Sequence, residues 1–469
     1  MFGSEKQQQT EDESGGARKT KKQKKKANNW RPQSPRDPFA MLNELPEEKQ
    51  QEIQRALHLF NLGPTVPKTL EQAKKHQYHF WDTQPVPKLS DNVTSHGPVA
   101  EGEGGVRTEP YSLPQGFSWD TLDLANAAVV RHKNTSITNY KSSEDDDNTM
   151  RLDFSEEYLK WALQSPQWVP QWHCGVRVNS NKKLVGFIAA VPANVQVYDK
   201  EIKMVQVRLL CVHKKLRLKR MTPVLIRELT RRVNLQGTLQ ALYTAAVVLP
   251  TPLSICNYWH RPLNTRKLME MNYPGLRQSM TVQRAVKLNK LPERTKTQGL
   301  RLMTKADVAA VHNLLQSNKS KFDLSINLSA QEVEHWILPR DGLIVSYVVE
   351  SEDGGLTDAF GFNNVISKLL NHPVHTELKE AHLLFSICTS TDPVDLMEDA
   401  LVLAKFKGFD VFIALDTMWN QGCLEKLKFN LSSKSLNYYL YNWKCPVIKS
   451  DKVRITINSF ICNLAVFTS

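Results

Sequence analysis

The sequence predicts an α/β protein built from two successive mixed halves around one continuous sheet. Three observations carry that expectation. Between Gln171 and Leu249 the apolar patterning reads strand, strand, strand, basic turn, helix, strand. Past residue 300 a mixed order starts again, with a helix over Lys305–Ser317, a strand over Asp341–Val349, a helix over Pro393–Phe406 and a strand over Asp410–Leu415. Each half also ends on a helix that leads into a buried strand, the signature of a repeated α/β unit.

Taken in order, residues 1 to about 40 are too charged and proline-rich to pack, and the lysine block Ala17–Ala27 makes them a basic disordered arm. Leu45–Leu62 has helical spacing, with Ile53, Leu57 and Phe60 on one side and Gly63-Pro64 as the stop. His76–Leu89 is an aromatic cluster ending in prolines, predicted to be extended and anchored. Tyr111–Trp119 mixes turns with aromatics, a helix-like stretch runs on to about Val130, and acids crowd Ser142–Asn148. Phe154–Leu163 is an amphipathic helix, followed by strands over Gln171–Val178, Lys183–Tyr198 and Val205–Val212.

A basic connector follows, with His213, Lys214, Lys215, Arg217, Lys219 and Arg220. Thr222-Pro223 reads as an N-cap with proline at the first helical position. Met221, Leu225, Leu229 and Val233 then form the apolar ridge of a helix. Ala241–Leu249 is the next buried strand, stopped by Pro250. In the second half Leu396, Ala400 and Ala404 share one face of their helix, and Gly408 is its expected C′ residue.

A strand that delivers a cationic turn to a helix N-terminus can hold a phosphate, because free backbone N–H groups, the helix dipole and fixed charge converge there. A solvated basic loop explains the same residues equally well, so the pattern leaves both readings open. Composition bounds the choice without making it. The chain has 469 residues, 41% apolar, and a formal charge of +13 that points to anionic partners, although part of it sits in the arm. There is no apolar leader and no run long enough to span a membrane, so the expected location is the cytoplasm. Seven scattered cysteines without a CxxC pair fit reduced, packed thiols; Cys211 with His213, and His173 with Cys174, lack a second pair at zinc spacing, and no metal is expected.

The segments HFWDTQPVPKL, LVGFIAAVPANV, LLCVHKKLRLKRMTPVLIRELTRRV, LYTAAVVLP, YWHRPLN, QEVEHW, DALVLAKFKGFDVF, LEKLKF and YYLYNWKCP resemble the eukaryotic N-myristoyltransferases, in unbroken order from about residue 40 to 458. The resemblance implies two acetyltransferase-like halves sharing a saddle-shaped mixed sheet. Residues 76–235 would bind myristoyl-CoA, the co-substrate, with no prosthetic group. Residues 249–458 would form most of the groove for an N-terminal-glycine protein, and the enzyme is expected to be a monomer. By the same resemblance the backbone amides of Leu209 and Leu210 form the oxyanion hole. Cys211, Val212, Arg217, Leu218, Lys219, Arg220, Met221 and Thr222 hold the CoA phosphates and their surroundings, and His79, Phe80 and Trp81 close the acyl-CoA site. Tyr243, Thr244 and His260 meet the peptide, and the base is the carboxylate at the chain's own C-terminus.

Several positions depart from the family pattern. Arg208-Leu209-Leu210 stands for Asn-Phe-Leu, Leu218 for the serine of the phosphate turn, Ala246 for a glycine, and Asn430–Ser435 for a glycine-rich loop. Met150 and Leu152 replace aromatics, and residues 459–469 form an extra tail that displaces the terminal carboxylate. The expectation is a transferase of reduced rate. A non-catalytic homologue that binds acyl-CoA or peptide is the alternative, and the lysine-rich arm adds a further expected contact with ribosomes, RNA or an acidic membrane surface.

Overall fold

One mixed sheet organises the protein. The computed structural model describes residues 67–100, 105–124, 150–213, 216, 220–274, 276, 280–370 and 372–455, all within a unit that begins at Gly63. The expected arm, the helix over Leu45–Leu62, the stretch from 125 through the acidic cluster, and the C-terminal tail lie outside the described residues.

The strands are β1 (Phe117–Thr121), β2 (Met150–Leu152), β3 (His173–Val178), β4 (Leu184–Val197), β5 (Lys200–Val212), β6 (Ala241–Ala245), β7 (Ser254–Pro262), β8 (Leu300–Leu302), β9 (Leu324–Ile326), β10 (Ile344–Glu350), β11 (Leu356–Leu369), β12 (Glu377–Ile387), β13 (Val411–Leu415), β14 (Asn430–Tyr441) and β15 (Val453–Arg454). The helices that matter below are α1 (Glu156–Leu163), α2 (Met221–Asn234), α3 (Thr265–Glu270), α4 (Val308–Ser317), α5 (Ala330–Trp336) and α6 (Pro393–Phe406). The main strand order is β1-β3-β4-β5-β6-β14-β7-β13-β12-β11-β10-β8.

Two parallel pairs expose the repeat. A helix joins β5 to β6 through α2, and β12 to β13 through α6, and both strand pairs are parallel. Parallel neighbours need a crossover connection, which each helix supplies. The expected α/β unit is therefore present twice. The halves fuse because β14, from the end of the chain, lies between β6 and β7 and pairs antiparallel with both.

Packing follows the apolar ridges. Met221, Leu225, Leu229 and Val233 of α2 are all buried, against Ile188, Val205, Leu210 and Val212 of the sheet. Leu396, Ala400 and Ala404 of α6 are buried against Phe360, Phe362 and Phe412. Gly408 follows the helix with φ +80°, the left-handed conformation that glycine adopts without steric cost. At Gly361 the side chains come closer still: an added Cβ would lie 2.5 Å from Phe385 Cε1 and 2.6 Å from Ser346 Oγ. Both neighbours are buried, so Gly361→Ala is expected to cost about 1–3 kcal/mol by overpacking, read as a lower denaturant midpoint.

Four local expectations change. Residue 222 is not the helix cap: α2 begins at Met221, and Arg220 precedes it at φ 55° without a side-chain capping bond. Pro223 is tolerated because the N–H groups of the whole first turn lack intrahelical partners, not the first alone. Strand β6 ends at Ala245 rather than Leu249; Val248 N–H turns to Pro67 O and Leu249 N–H to the Tyr439 hydroxyl, so the apolar run continues as buried loop. Phe117–Thr121, inside and just past the turn-rich aromatic stretch, is a strand paired with β3. Asn430–Ser435 is the first part of β14, with a register irregularity between Leu431 and Ser435, rather than a free loop.

Candidate active site

The candidate site lies where β5 and β6 part. Their parallel register places Val205 opposite Ala241 and Gln206 opposite Leu242, and extends no further. On its other edge β5 carries a bulge: Ala189 of β4 faces Leu209, but the next residue, Ala190, faces Val207. Arg208 is the extra residue. A bulge bends its strand and interrupts the ladder, the usual device for re-aiming backbone groups beside a site. It falls immediately before Leu209 and Leu210, whose amides the resemblance singles out.

Arg208 itself is buried, with its guanidinium 4.9 Å from the centre of the Trp336 ring and Nη1 donating to Gln206 Oε1 at 3.2 Å. Its charge thus lies on the α5 side of the sheet. On that side Trp161 Nε1–H donates to His335 O at 2.9 Å, and His335 Nε2 lies 2.8 Å from Trp161 O. Burial pushes the His335 imidazole down to about 4.

On the opposite face a narrow apolar pocket lies between α2 and the parting strands, lined by Val205, Leu210, Leu229, Val233, Ala241 and Tyr243 among others. From Val205 to Leu210 along β5 is about 17 Å at an ordinary strand rise. The cavity therefore starts beside the bulge and reaches toward the far end of α2. Trp81 also lines it, stacked on Tyr243 with centroids 5.6 Å apart, and Tyr243 stacks in turn on Tyr439 at 5.1 Å.

The segment that carries Trp81 is pinned. Tyr78 O–H donates to Val248 O at 2.7 Å, and Tyr439 O–H donates to Val247 O at 3.0 Å. The expected anchored aromatic cluster is thus a short helical turn over Trp81–Thr83 rather than an extended stretch, because its rings bury against the loop that leaves β6. Phe80 is half-buried with Arg227 5.5 Å from its ring, and His79 is exposed.

Of the expected phosphate turn, Arg220 is exposed and Met221 and Thr222 are buried in the first turn of α2. Cys211 and Val212 are buried at the end of β5. Arg217, Leu218 and Lys219 lie outside the described residues, as does the terminal carboxylate.

Tyr243 and Thr244 face Tyr439 and Tyr438 across β6 and β14. His260 is not beside them. Tyr438 also faces Ser254 of β7, and from Ser254 to His260 is about 20 Å of strand. The three residues therefore mark two ends of a stretch rather than one pocket. The His260 ring is held down to about 4 by burial, with His382 and Lys434 adding to the effect and Glu380 opposing it. Its Nδ1 lies 2.8 Å from the Tyr273 hydroxyl. Sequence reasoning missed the bulge, the cavity wall on α2 and Tyr273. The ridge spacing on α2 was visible, but whether a ridge closes on its sheet or leaves room is a tertiary property.

Two family models match the chain: the N-terminal domain of myristoyl-CoA:protein N-myristoyltransferase over residues 100–256, and its C-terminal domain over residues 270–460. Glycylpeptide N-tetradecanoyltransferase 2 of Danio rerio is 53% identical over 413 residues, which covers 88% of this chain and 84% of that protein. The Drosophila melanogaster glycylpeptide N-tetradecanoyltransferase is 44% identical, covering 84% of each. The crystal structure of Saccharomyces cerevisiae N-myristoyltransferase with bound myristoyl-CoA superposes with a TM-score of 0.77 at 35% identity, covering 81% of this chain and 99% of that one. With both domain models matched in order and relatives at this identity spanning most of its length, the chain belongs to the N-myristoyltransferase family.

Proposed function

We propose that this chain transfers the myristoyl group of myristoyl-CoA to the amine of an N-terminal glycine, with the acyl chain in the cavity under α2 and the thioester at Leu209 and Leu210. The observation that carries the reading is the apolar lining that runs from Leu210, beside the β5 bulge, to Val205: about 17 Å of strand, the order of length of an extended fourteen-carbon chain. Burying that chain holds the thioester at the bulge, where amides aimed at the carbonyl oxygen stabilise the charge that develops as the amine attacks. The C–N bond forms, the C–S bond breaks, and CoA leaves as the thiol while the amine gives up its proton. Arg220 and the first turn of α2 lie at the end of β5, suited to the CoA phosphates.

An acceptor peptide that enters at Tyr243 and Thr244 reaches His260 in about six extended residues, so His260 meets a side chain downstream of the glycine. The base by resemblance is the family's C-terminal carboxylate, which the extra tail over residues 459–469 displaces, so proton removal is the step expected to be slow. The lysine block Ala17–Ala27 provides a counterion-release contact with ribosomes, and the enzyme acts in the cytoplasm as a monomer.

Incubation of the full chain with labelled myristoyl-CoA and a glycine-initiated peptide is expected to yield N-acylated peptide, and an N-acetylated peptide none. Binding of myristoyl-CoA without acyl transfer would replace this reading with the non-catalytic homologue. Truncation after Asn458 separates the two causes of a slow rate: a rise in turnover identifies the tail, and no change identifies the substitutions around Arg208. Removal of residues 1–27 is expected to abolish salt-sensitive cosedimentation with ribosomes.

A further inference from the structure

We propose that Tyr273 is a specificity-determining positioning residue, its hydroxyl donating to His260 Nδ1 and fixing the ring as the Nε2–H tautomer, so that the peptide groove offers an N–H donor. The inference rests on the reading that His260 faces the acceptor peptide, and it assigns the chemistry preferred there: a side chain that accepts a hydrogen bond.

Tyr273 is placed by how α3 ends. Asn272, at φ 52°, takes the left-handed position after the helix. Tyr273 N–H reaches back to Leu268 O at 2.9 Å and Asn272 N–H to Met269 O at 3.1 Å. This pair of bonds is the Schellman arrangement, and its usual apolar contact is present, since Leu268 and Tyr273 are buried in one small cluster. The start of α3 is fixed as well: Asn264 Oδ1 accepts from Lys267 N–H, Asn264 Nδ2 donates to Asp410, and Lys267 pairs with Asp410 at 2.6 Å. At the other end Glu270 pairs with His375 at 2.8 Å. The phenol is thus delivered to His260 by a short helix held at both ends.

The direction of the Tyr273–His260 bond follows from what each arrangement leaves over. If the hydroxyl donates, its hydrogen and the Nδ1 lone pair are both used, and only a phenol oxygen lone pair remains unfilled. If the ring donated instead, the buried hydroxyl hydrogen would have no acceptor among the described residues. Buried donors without partners are the rarer and costlier case. Burial also holds the imidazole neutral and the phenol protonated near neutral pH. A neutral ring that accepts at Nδ1 carries its proton on Nε2.

The first test is spectroscopic and needs no substrate. Full-length protein labelled with ¹⁵N-histidine, with His260→Gln to identify the signal, is expected to show Nε2 protonated and Nδ1 bare. Tyr273→Phe is expected to release the ring into a mixture of tautomers. The second test uses glycine-initiated peptides varied at the position whose alanine effect vanishes in His260→Gln. O-methylserine, which accepts but cannot donate, is expected to be preferred over alanine by about fivefold to tenfold in kcat/KM through KM, and Tyr273→Phe to erase that preference with kcat unchanged. A protonated Nδ1 in the wild type, or an unchanged tautomer and preference in Tyr273→Phe, would overturn the inference. Should no glycine-initiated peptide be acylated, the functional reading falls, and the tautomer still stands or falls on the spectrum alone.

Discussion

Val233→Phe is expected to shorten the acyl chain that the enzyme prefers. Val233 lines the cavity near the end of α2, remote from the bulge at Arg208. The helix returns along β5 toward Val205 and Ala241, so the three residues line the end of the pocket farthest from Leu210, where the proposed reading seats the thioester. A phenyl ring there fills the space of the last carbons and leaves the reacting end untouched. Each methylene denied burial costs about 0.8 kcal/mol. Excluding about three of them amounts to roughly 2.4 kcal/mol, on the order of 50-fold in kcat/KM for myristoyl-CoA. Acyl-CoA substrates shorter by two to four carbons should lose much less, so the order of preference inverts. Steady-state kinetics over a series of chain lengths checks it. A uniform loss at every length would mean that the acyl chain does not run toward Val233.

Glu228→Ala is expected to give the largest loss of stability, about 3–5 kcal/mol, because it strands buried charge. The Glu228 side chain is fully buried in α2. It accepts from Arg231 at 2.7 and 2.9 Å, from Arg232 at 2.9 Å and from Tyr111 N–H at 3.1 Å. The same arginines reach outward: Arg231 donates to Thr108 O, and Arg232 to Thr121 Oγ1 and Gln171 O. One carboxylate therefore ties α2 to three separate segments, and α2 is one wall of the apolar pocket. Denaturant unfolding with an unchanged slope and a lower midpoint is the expected readout.

The pH dependence has a definite sign. Burial alone would raise the Glu228 carboxyl, but the hydrogen bonds from Arg231, Arg232 and the Tyr111 amide outweigh it and leave its pKa lowered. Its contribution to stability is present above the unfolded-state pKa and is lost as the pH falls through the lower folded-state value. Glu228→Gln should accordingly flatten the acid limb of the stability profile relative to the wild type. An acid limb unchanged in slope would place the titrating group elsewhere.

The apolar periodicities of α1, α2 and α6, and the basic turn before α2, were legible because they are local: a ridge at i, i+4 or a run of β-branched residues states its own secondary structure. The collinear motifs carried the family as well. What could not be read locally was register. The strands β11 and β14 carry many polar residues, among them Asn363, Asn364, Ser432 and Lys434, and their apolar pattern is too broken to mark a strand. Neighbouring strands supply the hydrogen bonds that hold them.

The site divides along the same line. Leu209, Leu210 and the turn that leads to α2 enter the proposed site from the resemblance alone, and the basic character of that stretch is read directly from its residues. The bulge at Arg208 depends on how β4 pairs with β5, the pocket on how the α2 ridge meets the sheet beside the parting strands, and the contact of Tyr273 with His260 on where α3 ends beside β7. Each is a relation between residues distant in the chain or across a turn. The sequence by itself determined which residues prefer helix or strand and which family they came from. Tertiary structure decided where β5 leaves its ladder, how much space lies beneath α2 and which nitrogen of His260 is engaged, because backbone pairing and packing gaps arise only when separate segments meet.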